Sequence, residues 1–135
     1  MKHRYYIGID PGKNTGVAVW SSEEKILKMI KTVMIHQAMK EVLAWAEVGS
    51  VFVVFEDARK RTFLKHKEAG AIQGAGSIKR DCTIWEDFLT DEKIPFDMRK
   101  PAGTKKSAGY LQLITGWTAR TSNHARDAAF LVIGS

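Results

Sequence analysis

The sequence contains one cysteine, Cys82, in 135 residues. A lone thiol excludes an internal disulfide framework and any cysteine-rich zinc site. No apolar run approaches the roughly 20 residues that a bilayer span requires. The six-residue strand-like run behind Met1-Lys2-His3-Arg4 is too short for the core of a signal peptide. Repeats, low-complexity tracts and linker-like stretches are missing as well. These absences point to a soluble, cytoplasmic chain with no membrane attachment, folded as one domain over residues 1–135.

Acidic residues are unevenly scarce. Between Met98 and Arg126 there is none, against Arg99, Lys100, Lys105, Lys106, Arg120 and Arg126. From Asp57 to Lys67 there is one acid, against Arg59, Lys60, Arg61, Lys65 and Lys67. The whole chain has 21 Lys and Arg against 15 Asp and Glu, a net charge of +6. Basic segments of this kind suit a polyanion such as nucleic acid, and a solvated surface is the plainer alternative. Hydrophobic residues at 44% and charged residues at 27% are ordinary for a globular chain with one core.

The pattern of apolar residues predicts the elements. Tyr5 to Asp10 is a mostly apolar run that reads as a buried central strand, followed by a turn at Pro11-Gly12-Lys13-Asn14. Thr15–Trp20 and Lys25–Met34 continue as two strands joined by short hairpin connections. His36–Ala46 reads as a helix, with Ala38, Val42, Trp45 and Ala46 on one stripe and Gly49 ending it. Val51–Phe55 is the clearest buried strand and ends on Glu56. A second helical region spans about Glu68 to Leu89, weakened near Gly70, Gly74 and Gly76. Ile94–Met98 is a short strand, Lys105–Thr115 a helix stopped at Gly116, and a last helix runs from near Asn123 to Ile133, capped by Ser122 or Asn123. The order β-β-β-α-β-α-β-α-α gives an α/β fold, a mixed sheet with helices on its faces, in which the fourth strand lies parallel to and beside the first.

That arrangement places Asp10 and Glu56, each the first acid after an apolar strand, on the carboxyl edge of the sheet, where α/β ligand sites form. Two carboxylates there repel unless protonated or bridged by a cation, and oxygen donors suit Mg²⁺ or Mn²⁺. Strand-terminal acids facing water are the alternative. His124 and Asp127, three apart, share a face of the last helix. Asp127 opens the apolar run Ala128 to Ile133, and the dipole of a helix whose first turn it occupies would stabilise it. Ile78, Cys82, Trp85 and Leu89 recur at helical spacing, which suits an interface or a core face equally. Trp45, Trp85 and Trp117 read as core or interface groups.

Taken together these residues resemble the RNase H-like superfamily, and more closely the RuvC type of Holliday junction resolvase. Ile7-Gly8-Ile9-Asp10-Pro11-Gly12-Lys13-Asn14-Thr15-Gly16-Val17-Ala18 is similar to that family's opening motif. Val53-Val54-Phe55-Glu56 resembles its second acidic strand, and His124-Ala125-Arg126-Asp127-Ala128-Ala129 its closing helix. Glu56-Asp57-Ala58-Arg59, Gly74-Ala75-Gly76-Ser77-Ile78-Lys79-Arg80-Asp81 and Ile114-Thr115-Gly116-Trp117-Thr118 look like the compact RuvC-like proteins of phages and prophages.

The resemblance implies an RNase H-like domain with a mixed five-stranded sheet and helices on both faces. It implies a homodimeric endonuclease that hydrolyses phosphodiester bonds in branched DNA, four-way junctions above all, with two Mg²⁺ (or Mn²⁺) ions per site. Asp10, Glu56 and Asp127 match the family's metal-binding carboxylates. His124 matches a position that is Asp or His among members, and would ligate a metal or handle the attacking water. Phe63 is the aromatic nearest to the family's junction-opening residue. Lys13, Arg59, Lys60, Arg61, Lys105 and Lys106 are the candidate DNA contacts, although any one lysine taken singly reads as a solvated charge. Two rivals remain: a RuvC-related nuclease that trims ribosomal RNA precursors, and a non-catalytic nucleic-acid-binding module on the same fold. Sugar-kinase and actin-like ATPases open with a similar strand but need two such domains.

Overall fold

A computed structural model describes residues 3–60, 69–102 and 106–135, the stretch 69–75 by its backbone alone. The elements among these residues are β1 (Tyr5–Asp10), β2 (Asn14–Ser21), β3 (Ile26–Met34), α1 (Ile35–Val48), β4 (Val51–Glu56), a 3-10 turn (Ala58–Lys60), α2 (Ala69–Asp91), β5 (Phe96–Arg99), α3 (Ala108–Thr115) and α4 (Asn123–Phe130). The five strands form one mixed sheet in the order β3-β2-β1-β4-β5. β1 pairs antiparallel with β2 and β2 with β3, whereas β1–β4 and β4–β5 are parallel. Among the described residues no helix is long and apolar enough to cross a membrane.

The sequence explains the layering. β1 and β2 are almost wholly buried because helices cover both of their faces, and their apolar runs leave no polar stripe to expose. β3 is an edge strand and alternates, with exposed Lys28 paired to Glu24 and Lys31 reaching Glu41 on α1. One face of the sheet packs Ile7, Ile9, Val17, Val19, Val53 and Phe55 against α1 and α2. The other packs Ala18, Trp20 and Val54 against α3, α4 and Val132. This is the expected mixed five-stranded sheet with helices on both faces.

Several expectations are corrected. The α2 stripe is core, not interface: Cys82, Trp85 and Leu89 are fully buried against the sheet, and only Ile78 of that set reaches solvent. On α1, Ala46 is exposed, and Leu43 packs with Ala38 and Val42 instead. β5 starts at Phe96 rather than Ile94, because the Ile94 N–H closes the end of α2 on the Leu89 carbonyl and Pro95 has no N–H for the ladder. α3 starts at Ala108 rather than Lys105, because the Ser107 hydroxyl caps it by accepting from the Tyr110 N–H at 3.1 Å. Gly116 stops it in the left-handed conformation, as expected. α4 ends at Phe130 rather than Ile133, because the next N–H groups turn back three residues to Ala128 and Ala129.

Candidate functional site

Strand register decides which side chains meet at the carboxyl edge. Ile9 pairs with Phe55 across β1 and β4, and both point into the α1/α2 core. Strand side chains alternate, so the next residues, Asp10 and Glu56, point to the opposite face. That is the face α4 covers. Neighbouring parallel strands run roughly 4.8 Å apart, so the two carboxylates leave the sheet side by side. Asp10 is 7% exposed.

Two glycines let α4 lie close enough to join them. A β-carbon at Gly8 would stand 2.9 Å from the Ala128 carbonyl carbon and closer still to its oxygen. One at Gly16 would stand 3.0 Å from the Ala125 nitrogen and press harder on the His124 carbonyl. Gly16 is the register partner of Asp10, so α4 crosses backbone to backbone beside the acid. The Ser122 hydroxyl starts the helix by accepting from the Ala125 N–H at 3.1 Å. His124 then sits with Nδ1 3.0 Å from Oδ2 of Asp10 while more than half of its side chain faces solvent. Because Ser122 is the cap, Asp127 falls in the second turn and the first turn holds no acid, so the expected helix-dipole stabilisation does not apply.

Asp127 faces a different neighbour. It lines a cleft of about 290 Å³ together with Glu56, Arg99, Lys100, Lys106 and Phe130. The predicted residues thus form two adjoining groups, His124 on Asp10, and Glu56 with Asp127 in a cation-walled cleft. Among the described residues, no group of three or more His, Cys, Asp or Glu side chains has the arrangement that holds a metal ion. Of the candidate DNA contacts, Lys106 lines the cleft just ahead of the α3 cap. Lys13 is exposed in the turn directly after Asp10. Arg61, Phe63 and Lys105 lie outside the described residues.

Arg59 and Lys60 are tied to the protein itself. Asp57 follows Glu56 into the interior and is 3% exposed. It accepts from the Arg59 Nε at 2.8 Å, the Arg59 Nη2 at 3.0 Å and the Arg59 backbone N–H at 3.0 Å. The same guanidinium reaches Glu86 on α2 at 2.8 Å, and Lys60 donates to the Met98 carbonyl at 2.8 Å. The Cys82 thiol, pushed up in pKa chiefly by burial, points at the Glu56 carbonyl at 3.8 Å. The chain leaving Glu56 is therefore clamped to α2 and β5.

Burial alone would push the Asp57 carboxyl up, but the hydrogen bonds from Arg59 outweigh it and hold the group below the ordinary carboxylate range. Asp57 in turn raises the Arg59 guanidinium. With the folded value below the unfolded one, this pair stabilises the protein above about pH 4, and that contribution fades as pH falls through the folded value. Arg59→Met is expected to cost about 3 kcal/mol at pH 7, because it strands a buried charge. In thermal melts the gap between wild type and variant should be full at pH 7 and narrow as pH falls from about 4 towards 2. A gap of constant size would show that Arg59 acts through packing alone.

Sequence reasoning missed Glu86, the cleft-lining roles of Arg99 and Lys100, and the part played by Gly8 and Gly16. Glycines inside strands signal a close backbone approach, and that signal was present. Glu86 carried no comparable mark. No family model matches this chain, and no curated protein matches it significantly.

Proposed function

We propose that this chain is a divalent-metal-dependent endonuclease of the RuvC type that cuts branched DNA, four-way junctions in particular. The observation that carries the reading is the convergence of acids at one edge: Asp10 and Glu56 on adjacent parallel strands, facing α4, with His124 on Asp10 and Asp127 sharing the cleft of Glu56. A module that only bound nucleic acid would gain nothing from carboxylates set among the cations that attract phosphate.

The donors are of the right kind for Mg²⁺ or Mn²⁺, being hard carboxylate oxygens on one face of one edge. Asp10, Glu56 and Asp127 would hold the ions, which supply a lowered water pKa and stabilisation of charge on the leaving oxygen. Asp10 orients the imidazole through Nδ1, which leaves Nε2 of His124 as the atom that accepts or delivers a proton. Arg99, Lys100 and Lys106 attract and seat the phosphate. The Asp57–Arg59–Glu86 clamp fixes the end of β4, and with it Glu56. A four-way junction has near two-fold symmetry and two strands to cut, and one chain carries one such edge, so a symmetric dimer is the working unit.

The test is Mg²⁺-dependent cleavage of a four-way junction, a flap, a linear duplex and a structured RNA under identical conditions. Cutting of the junction in preference to the duplex is expected, and to stop when the metal is chelated. Preferential cutting of the RNA, or no cutting at all, would overturn the proposal.

A further inference from the structure

α3 carries an apolar strip that nothing among the described residues covers. Leu111 points into the core, whereas Tyr110, Leu113 and Ile114 are 44%, 80% and 43% exposed. Spaced i, i+3 and i+4, these three share one face of the helix. The strip runs into the cleft. The Tyr110 ring stacks on that of Phe130, with centroids 5.8 Å apart and planes 24° apart, and Phe130 lines the cleft with Glu56 and Asp127. The Lys106 ammonium stands 5.4 Å from the centre of the Tyr110 ring. Arg126 donates from Nε to the Lys106 carbonyl at 3.1 Å, which brings another cation to the border. The sequence from Met98 to Arg126 has no acid, and the acids beside these charges are the cleft's own Glu56 and Asp127.

Charge selects the occupant. Two copies meeting through this face would bring one basic patch against its own copy, because a two-fold contact uses the same surface on both partners. A nucleic acid gains from every one of these cations, and an exposed aromatic ring with a lysine over it suits a base and its phosphate. We infer that Tyr110, backed by Phe130, is a stacking platform for an unpaired base beside the phosphate in the cleft. The inference rests on the nuclease reading and adds the substrate feature that the site selects, a nucleotide unpaired at the branch point.

The experiment places 2-aminopurine either at an unpaired branch position or within a linear duplex, and measures affinity and quenching with the Asp10→Asn chain so that the DNA stays whole. Tyr110→Ala is expected to lose about 5- to 100-fold in affinity for the branched DNA, the range for one base–aromatic stack. Quenching of the branch probe should be lost with it, and duplex affinity should not change. Tyr110→Leu keeps apolar contact with Phe130 but offers no aromatic face, so it should behave as the alanine variant does. Tyr110→Phe should restore both readouts. Unchanged branch affinity in Tyr110→Leu, or equal losses on both DNAs, overturns the platform and leaves the nuclease reading standing. A variant that turns a dimer into a monomer in sedimentation shows the strip to be a contact between copies, and overturns it too. A parent chain that binds neither DNA overturns the nuclease reading and the platform together.

Discussion

Asp10→Asn is expected to lower Mg²⁺-dependent junction cleavage by at least about a thousandfold while the protein stays folded. A metal-held carboxylate contributes several kcal/mol to a transition state of this kind, and each 1.36 kcal/mol is about a factor of ten. The substitution keeps the size and shape of the side chain but removes the charge that would hold an ion. It also replaces the carboxylate contact to His124 Nδ1 with a neutral amide, which no longer favours a charged imidazolium. Stability should move little, because the same change relieves repulsion between carboxylates that leave adjacent strands on one face. A melting temperature within about 5 °C of wild type, or roughly 1 kcal/mol, is expected. Junction binding should persist, since the cations of the cleft are untouched. Cleavage at the wild-type rate by Asp10→Asn would remove Asp10 from the chemistry.

The second large effect comes from a residue with no side chain. Gly16→Ala puts a methyl group against the His124 carbonyl, and Gly8→Ala does the same at the Ala128 carbonyl. Both obstacles are backbone of a packed helix and cannot rotate away. α4 must therefore lift off the sheet. Overpacking of this kind costs about 1–3 kcal/mol, which lowers the melting temperature by roughly 4–12 °C at this chain length. Catalysis should suffer more than stability, because the displaced segment is the one that sets His124 on Asp10 and Asp127 beside Glu56. A misplacement of about 1 Å is enough for a hundredfold loss. Thermal melts and single-turnover cleavage of the two alanine variants test this. Wild-type melting and wild-type rates in both would show that the seam tolerates a methyl group.

The strands and the acids were legible in the sequence for one physical reason. Central strands covered on both faces need unbroken apolar runs, so the point where Tyr5–Ile9 gives way to Asp10, and Val51–Phe55 to Glu56, marks the sheet edge without reference to any other part of the chain. His124 and Asp127 were legible as a helical pair, but Asp127's place in the helix was not, because it depends on which polar residue wins the cap. The same competition hid the start of α3, where Lys105 and Lys106 are good helix formers but the Ser107 hydroxyl satisfies a free N–H. The clamp on Asp57 joins the end of β4 to Glu86 on α2, a contact between residues 27 apart that no local pattern encodes. The stripe through Cys82, Trp85 and Leu89 was seen, but periodicity shows only that a face is apolar, not what covers it.

The two sides of the sheet hold their helices by different means. On the α1/α2 side the sheet buries large side chains, Phe55, Trp85, Leu89 and several isoleucines and valines. On the other side α4 itself presents only Ala125, Ala128 and Ala129 over glycines, while Trp20, Leu27, Ile30, Leu111 and Val132 fill the space around it. Contact of backbone on backbone leaves no flexible side chain to adjust between helix and strand. The strands therefore set the height of α4 directly, and with it the reach of His124 and Asp127 towards the acids of β1 and β4.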